Sequence, residues 1–69
     1  MEIIYSDHAL KRMKQRGISE LEVEHVLQHP SYMKKTFEER KEAHGTVQNR
    51  STIVVYFETE NYIKIITVM

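Results

Sequence analysis

Three residues that can handle a phosphate recur every four positions near the start of this 69-residue chain: His8, Arg12 and Arg16, here called the basic line. In a helix, residues four apart lie one above another on the surface. A guanidinium offers paired donors that match phosphate oxygens, and an imidazole exchanges a proton near neutral pH. The spacing favours phosphate binding with acid–base chemistry, and an ordinary solvated helix face is the alternative that it leaves open.

Two other features could also carry chemistry. His25 and His29 are four residues apart, a spacing that can hold zinc, but the chain has no cysteine. A third ligand would have to be a glutamate, His8 or His44, so we expect exposed histidines and neither a metal nor a cofactor. Thr67, near the end of the chain, is either a strand former on a sheet or a hydroxyl directed at the basic line, and the sequence leaves both open.

The basic line needs a helix with defined ends, and the sequence supplies them. Ser6 suits the N-cap, and Asp7 suits the positive end of the helix dipole. Gly17 fits the left-handed position that ends a helix. We predict a first helix from about Asp7 to Arg16, with a buried stripe formed by Ala9, Leu10 and Met13.

A second helix is predicted directly after the first. Ser19 and Glu22 have the spacing of a capping box. The helix should end near His29, because Pro30 disfavours helical backbone at the residue before it. Its apolar stripe consists of Val23, Val26 and Leu27. Leu21 points away from this stripe and should be exposed or meet a partner.

Strands account for the rest of the chain. Glu2 to Tyr5 reads as a short edge strand, and the polar segment after Pro30 as one weak strand that turns near Gly45. Ser51 to Glu58 is apolar on both faces and should be central; Tyr62 to Met69 should pair with it as a hairpin. The prediction is an α+β fold of order β-α-α-β-β-β, with both helices on one face of a three-stranded antiparallel meander.

Length and charge limit the class of protein. The chain, residues 1–69, is long enough for one domain only. Its ten basic and ten acidic side chains cancel, which argues against indiscriminate nucleic-acid binding but allows a local basic patch. It has neither a secretory signal pattern nor an apolar run of about 20 residues. We therefore expect a cytoplasmic protein without a membrane partner; the oligomeric state stays open.

A motif that spans most of the chain carries a resemblance. The run S-x-H-A-x-x-R-M-x-x-R-G-I-S is followed by V-x-x-V-L-x-x-P and a late I-I-T-V. These patterns resemble a small, mostly bacterial family of domains of unknown function. That family is thought to be similar to the barnase–EndoU–colicin–RelE group of compact ribonuclease toxins. The matching residues are Ser6, His8, Ala9, Arg12, Met13, Arg16, Gly17, Ile18, Ser19, Val23, Val26, Leu27, Pro30 and Ile65 to Val68.

The resemblance implies a RelE-like fold and a toxin-type endoribonuclease that cleaves RNA without metal. In such enzymes the 2′-hydroxyl of the RNA attacks the adjacent phosphate. The resemblance implies that His8 is the base or acid and that Arg12 and Arg16 bind the phosphate and its transition state, with Thr67 as a further active residue. The partner it implies is RNA, whereas an antitoxin-like protein is a partner expected of a non-catalytic binding module of the same fold.

Two other functions fit the same residues. The first is a binding module of the same fold that holds a protein or RNA without catalysis. The second is a small structural or metal-binding dimer built on His25, His29 and Leu21.

Overall fold

The computed structural model describes residues 2–69 and has an α+β fold of two helices and a five-stranded mixed sheet. The helices are α1 (Asp7–Arg16) and α2 (Glu20–Gln28). The strands are β1 (Glu2–Tyr5), β2 (Tyr32–Lys35), β3 (Lys41–Val47), β4 (Arg50–Glu58) and β5 (Tyr62–Val68), and a single 3-10 turn, Phe37–Glu39, joins β2 to β3.

The strands lie in the order β1-β5-β4-β3-β2, with β1 parallel to β5 and every other pair antiparallel. The predictions that β1 is an edge strand, that β4 is central and that β4 and β5 form a hairpin are confirmed. The three-stranded meander is wrong, because the segment read as one weak strand folds into β2 and β3. The meander therefore has four strands, and β2 is the second edge.

The turn predicted at Gly45 is also misplaced. Val47 pairs with Arg50, which leaves Gln48 and Asn49 as a two-residue turn with φ of 52° and 64°. Positive φ at both central residues is the backbone that joins twisted antiparallel strands. Gly45 lies inside β3, where a Cβ atom would stand 3.1 Å from a methyl carbon of Val26. The glycine is needed there because α2 approaches β3 so closely.

Both helices begin as predicted. The Ser6 hydroxyl accepts a hydrogen bond from the Ala9 N–H at 2.9 Å, and Gly17 ends α1 with a φ of 67°. In α2, Ser19 and Glu22 form the complete capping box. The pKa of the Glu22 carboxyl is lowered, chiefly because the Ser19 backbone N–H donates to it. These bonds join residues three apart, which is why the sequence alone predicted them.

The core lies between the helices and one face of the sheet. Its buried apolar residues are Ala9, Met13, Ile18, Val23, Val26, Ala43, Val47, Val54, Tyr56, Ile65 and Val68. Leu10 was predicted to belong to this core, but it is 44% exposed. The buried stripe of α1 is centred on Ala9 and Met13, and Leu10 lies about 100° around the helix from Ala9, at the solvent border.

Tyr5 contributes an unusual buried group to this core, because its hydroxyl is buried without a hydrogen-bond partner among residues 2–69. Burial, followed by the charges of Glu24 and Glu20, raises the pKa of Tyr5 from 10.0 to about 12. An unpaired buried hydroxyl destabilises the folded state. We expect Tyr5→Phe to raise the free energy of unfolding at neutral pH by about 1 kcal/mol, measured by urea denaturation.

The same residue should make stability depend on alkaline pH. A folded-state pKa above the unfolded value means that the native state holds the proton more tightly. Stability is then fully present below pH 10.0 and falls as the pH rises toward about 12. Tyr5→Phe should flatten this decline without abolishing it, since the pKa of the buried Tyr56 is raised as well. An unchanged slope in the variant would contradict this assignment.

Candidate phosphate-binding site

The site is built where α1 crosses the free edge of β5. Strand β1 pairs only with Tyr62 to Ile65, so the later part of β5 has no neighbour on that side. The chain turns there: the Ser6 N–H donates to the Ile65 carbonyl at 3.0 Å and the Ser6 hydroxyl to the Ile66 carbonyl at 2.8 Å. The capping residue of α1 thereby fixes the helix against this edge.

Arg12, six residues after Ser6 and so nearly two turns further along α1, continues the contact. Its Nε donates to the Val68 carbonyl across a long distance of 3.5 Å, and the side chain is half-buried. This contact holds the guanidinium at the rim of the sheet. The described part of the chain offers it no other hydrogen bond, so both Nη groups keep their donors for a ligand.

Arg16 and Arg50 meet at the end of the same helix. Arg50 lies at the start of β4, and its Nη2 donates to the Arg16 carbonyl at 2.8 Å. Arg16 is half-buried, and its Nε is buried without a partner within residues 2–69. The Arg50 guanidinium thus lies against the backbone of Arg16, one turn beyond Arg12. We call Arg12, Arg16 and Arg50 the arginine cluster.

The arginine cluster is not neutralised by carboxylates. The ion pairs within 4.0 Å among the described residues join other side chains: Arg40 to Glu38, Lys41 to Glu58 and His44 to Glu42. The charge of Arg50 reaches Glu22 only as a minor contribution to its lowered pKa, behind hydrogen bonds from Ser19 and Gln48. A chain with no net charge therefore concentrates positive charge at one end of α1.

His8 stands one turn before Arg12, in the first turn of α1, and is exposed. The basic line therefore begins in solvent and becomes half-buried toward Arg16, as its angular positions predict. Residues four apart on a helix have Cβ atoms about 5–6 Å apart, so His8 and Arg12 can contact neighbouring atoms of one ligand.

Thr67 is the neighbour in β5 of Val68, whose carbonyl accepts from Arg12 of the basic line. It pairs with Val55, whereas the next pair, Val54 and Val68, lies in the core beneath the helices. The register between β4 and β5 shifts here, and Ile66 is the extra residue on β5. The bulge leaves Thr67 on the open face of the sheet, which is the face opposite the helices. Thr67 is therefore a strand residue on that face, beside the rim that Arg12 contacts.

The remaining histidines have separate surroundings. The rings of His25 and His29 are 5.1 Å apart and tilted, beside Leu21, which is 78% exposed as predicted. Residues 2–69 contain no group of three side chains able to hold a metal ion. His44 lies within β3, where its Nε2 is 2.9 Å from Oε1 of Glu42.

Sequence reasoning missed two of these arrangements. It gave Arg50 no place beside the basic line, because only the β3–β4 turn and the packing of α1 bring Arg50 to Arg16. It also assigned no partner to His44, although the spacing Glu42-x-His44 can place a carboxylate beside the imidazole. Residues two apart in a strand point to the same face, so this spacing predicts a carboxylate beside the imidazole once β3 is known to be a strand.

A family model for a domain of unknown function, DUF4258, matches residues 5–69. The chain belongs to the DUF4258 family. The matched segment contains the basic line, Arg50 and Thr67, so every residue of the candidate site lies within the DUF4258 domain. No curated protein and no solved structure matches the chain. None of the helices in residues 2–69 is long and apolar enough to cross a membrane.

Proposed function

We propose that this DUF4258 domain binds RNA and holds its phosphates at the arginine cluster. The observation that carries the proposal is a set of three guanidinium groups with no carboxylate within 4.0 Å among residues 2–69. Clustered cations that no protein anion neutralises attract a polyanion, and each guanidinium can bind a phosphate through paired donors. A protein with no net charge can bind a polyanion in this way, because a bound phosphate responds to the local electrostatic potential and not to the net charge of the protein.

RNA is the polymer that the family resemblance favours. The S-x-H-A-x-x-R pattern resembles a group thought to be similar to the barnase–EndoU–colicin–RelE toxins, which cleave RNA without metal. The order of the elements, helices followed by an antiparallel meander, is compatible with that group. We therefore propose a RelE-like, toxin-type endoribonuclease as the more specific form of this function. His8 is its acid–base candidate at the cluster, because it is exposed one turn from Arg12.

The test is the affinity for a short single-stranded RNA, measured by fluorescence anisotropy in EDTA. We expect Arg12→Ala to lower the affinity by about tenfold, the loss expected for one hydrogen bond between charged groups. Arg50→Ala should lower it by a similar factor of about ten. The matched control is Arg40→Ala, since Arg40 faces Glu38 at 3.8 Å in the β2–β3 loop.

Two results would contradict the proposal. One is an affinity that Arg12→Ala and Arg50→Ala leave within twofold of the wild type. The other is an equal loss in Arg40→Ala, which would mean that total charge and not the cluster decides binding. Melting temperatures of all variants must first show that each is folded.

The outer edge of β2 supports a second candidate function, the binding of an antitoxin-like protein. Strand β2 has no neighbour on its outer side, and Tyr32, Met33 and Phe37 at this edge are exposed. An extended segment of a partner can add to such an edge as a further strand. Pairing would slow amide hydrogen exchange in β2 when the protein is isolated with its partner; equal exchange with and without the partner would exclude it.

A further inference from the structure

The open face of the sheet carries a second group of chemistry-bearing residues, away from the arginine cluster. His44 and Glu42 are two residues apart on β3, and Nε2 of His44 lies 2.9 Å from Oε1 of Glu42. Their side chains are 18% and 19% exposed, so the pair is held in place while one side remains open to a ligand. The helices cover the other face of the sheet.

The contact with Glu42 fixes the role of each nitrogen of His44. An ionised carboxylate can only accept, so Nε2 must donate. The neutral imidazole then carries its free lone pair on Nδ1, to which residues 2–69 provide no hydrogen-bond partner. A histidine oriented in this way by a carboxylate is the arrangement that general-base catalysis requires.

The neighbours of the pair suit a nucleotide. Tyr32, directly opposite His44 on β2, stacks on the imidazole with ring centres 4.2 Å apart and planes 18° apart. Tyr32 is 56% exposed, so its ring also offers surface on which a base can stack. Lys34 lies opposite Glu42 without an ion pair within 4.0 Å among the described residues, and it provides a cation for a phosphate.

Thr67 connects this group to the rim of the sheet. The pairs Glu42–Val55 and Val55–Thr67 place Glu42, Val55 and Thr67 in one row across the open face. With strands about 4.8 Å apart, Glu42 and Thr67 are separated by about 10 Å. The residue after Thr67 is Val68, whose carbonyl accepts from Arg12. A strand of RNA held at Arg12 can therefore cross the rim onto this face.

We propose that His44, oriented by Glu42, is the general base of an RNA-cleaving site on the open face of the sheet. The substrate class is single-stranded RNA with a base stacked on Tyr32 and a phosphate beside Lys34. This inference rests on the proposed function, because it takes its polymer from there. It differs in placing proton transfer at His44 and not at His8.

The reaction needs no external reagent. Nδ1 of His44 takes the proton of a ribose 2′-hydroxyl, and the 2′-oxygen forms a bond to the adjacent phosphorus. The bond from phosphorus to the 5′-oxygen breaks, and the imidazolium, directly or through water, returns the proton to that oxygen. The products are a 2′,3′-cyclic phosphate and a 5′-hydroxyl, so atoms and charges balance. Glu42 is a positioning residue that holds the ring so that, in the neutral tautomer, the lone pair is on Nδ1.

The experiment measures cleavage and binding of the same labelled single-stranded RNA, in EDTA, by the wild type and by His44→Ala and His44→Gln. We expect both variants to lose cleavage by about a hundredfold or more. They should bind the RNA within twofold of the wild type. Glu42→Gln should lower kcat with little change in KM. The matched control is His29→Ala, which removes the exposed histidine directly after α2 and should leave cleavage unchanged.

A second substrate tests the mechanism with the wild-type protein, so this measurement does not depend on whether a variant folds. The same oligonucleotide with 2′-deoxyribose throughout should bind but remain uncleaved, because the attacking hydroxyl is missing. Cleavage of RNA by the wild type that is lost in both His44 variants supports the proposal.

Three results would overturn it: no cleavage by the wild type, cleavage by folded His44→Ala equal to that of the wild type, or loss in His8→Ala with none in His44→Ala. RNA binding that depends on Arg12 but comes without cleavage would refute this inference and the endoribonuclease form of the proposed function, while RNA binding at the arginine cluster would stand. Absence of RNA binding by the wild type would refute the proposed function as well.

Discussion

Replacing Arg12, Arg16 and Arg50 together with alanine should remove most of the salt dependence of RNA binding. Each neutralised phosphate of a single strand contributes a slope of about −0.7 to log affinity against log salt, so three contacts give about −2. The affinity of the wild type should then fall about 20-fold between about 50 and about 200 mM salt. The triple variant should bind weakly at low salt and change little over this range.

Titrations of the labelled RNA at several salt concentrations measure this slope directly. A control variant of equal charge change replaces Lys35, Arg40 and Lys41, which lie on or beside the β2–β3 hairpin. It should keep the steep slope of the wild type. Equal slopes of log affinity against log salt in the two triple variants would contradict phosphate binding at the arginine cluster.

Gly45→Val should strongly destabilise the fold. A Cβ atom at position 45 would lie 3.1 Å and 3.2 Å from the two methyl carbons of Val26, which is itself fully buried. The two γ-methyls of valine need more room than this Cβ contact leaves, so we expect a loss of about 3 kcal/mol from overpacking. For a domain of this size, such a loss lowers the melting temperature by about 12–24 °C.

A paired substitution tests the cause of this loss. Gly45→Ala and Val26→Ala each remove stability, but together they should cost about 1 kcal/mol less than the sum, because the smaller side chain at position 26 makes room for the new methyl. Gly17→Ala provides the comparison: its Cβ would meet nothing within 4 Å, and only the φ of 67° opposes it. Strict additivity of Gly45→Ala and Val26→Ala in denaturant unfolding would disprove the close-packing explanation.

Gly45 also explains why the hairpin was misplaced from sequence. A glycine in a polar segment indicates a turn when only its neighbours in sequence are considered. The turn instead forms at Gln48 and Asn49, and the glycine serves a contact with Val26, nineteen residues earlier. The position of a turn sets the register of both strands. Because the turn was misplaced, the sequence did not predict β2 and β3 as separate strands, nor the residues that pair across them.

Features that depend on neighbouring residues could be predicted from the amino-acid sequence alone. The N-caps at Ser6 and Ser19, the left-handed Gly17, the bounds of α1, the central place of β4 and the order of His8, Arg12 and Arg16 on one helix all follow from contacts within a few residues or from hydrophobic pattern. Caps, dipoles and helical spacing act over one turn, so a local reading suffices.

The contacts that Arg16, Thr67 and His44 make with distant parts of the chain depend on the tertiary packing. Packing of α1 on the free edge of β5 brought Arg50 to Arg16, and a bulge at Ile66 turned Thr67 to the open face. The register of β2 on β3 stacked Tyr32 on His44. The contacts between Tyr32 and His44 and between Arg16 and Arg50 join residues 12 and 34 positions apart, and they depend on how strands align and how a helix crosses a sheet edge. Such alignments minimise the free energy of the whole fold, which no short stretch of sequence encodes.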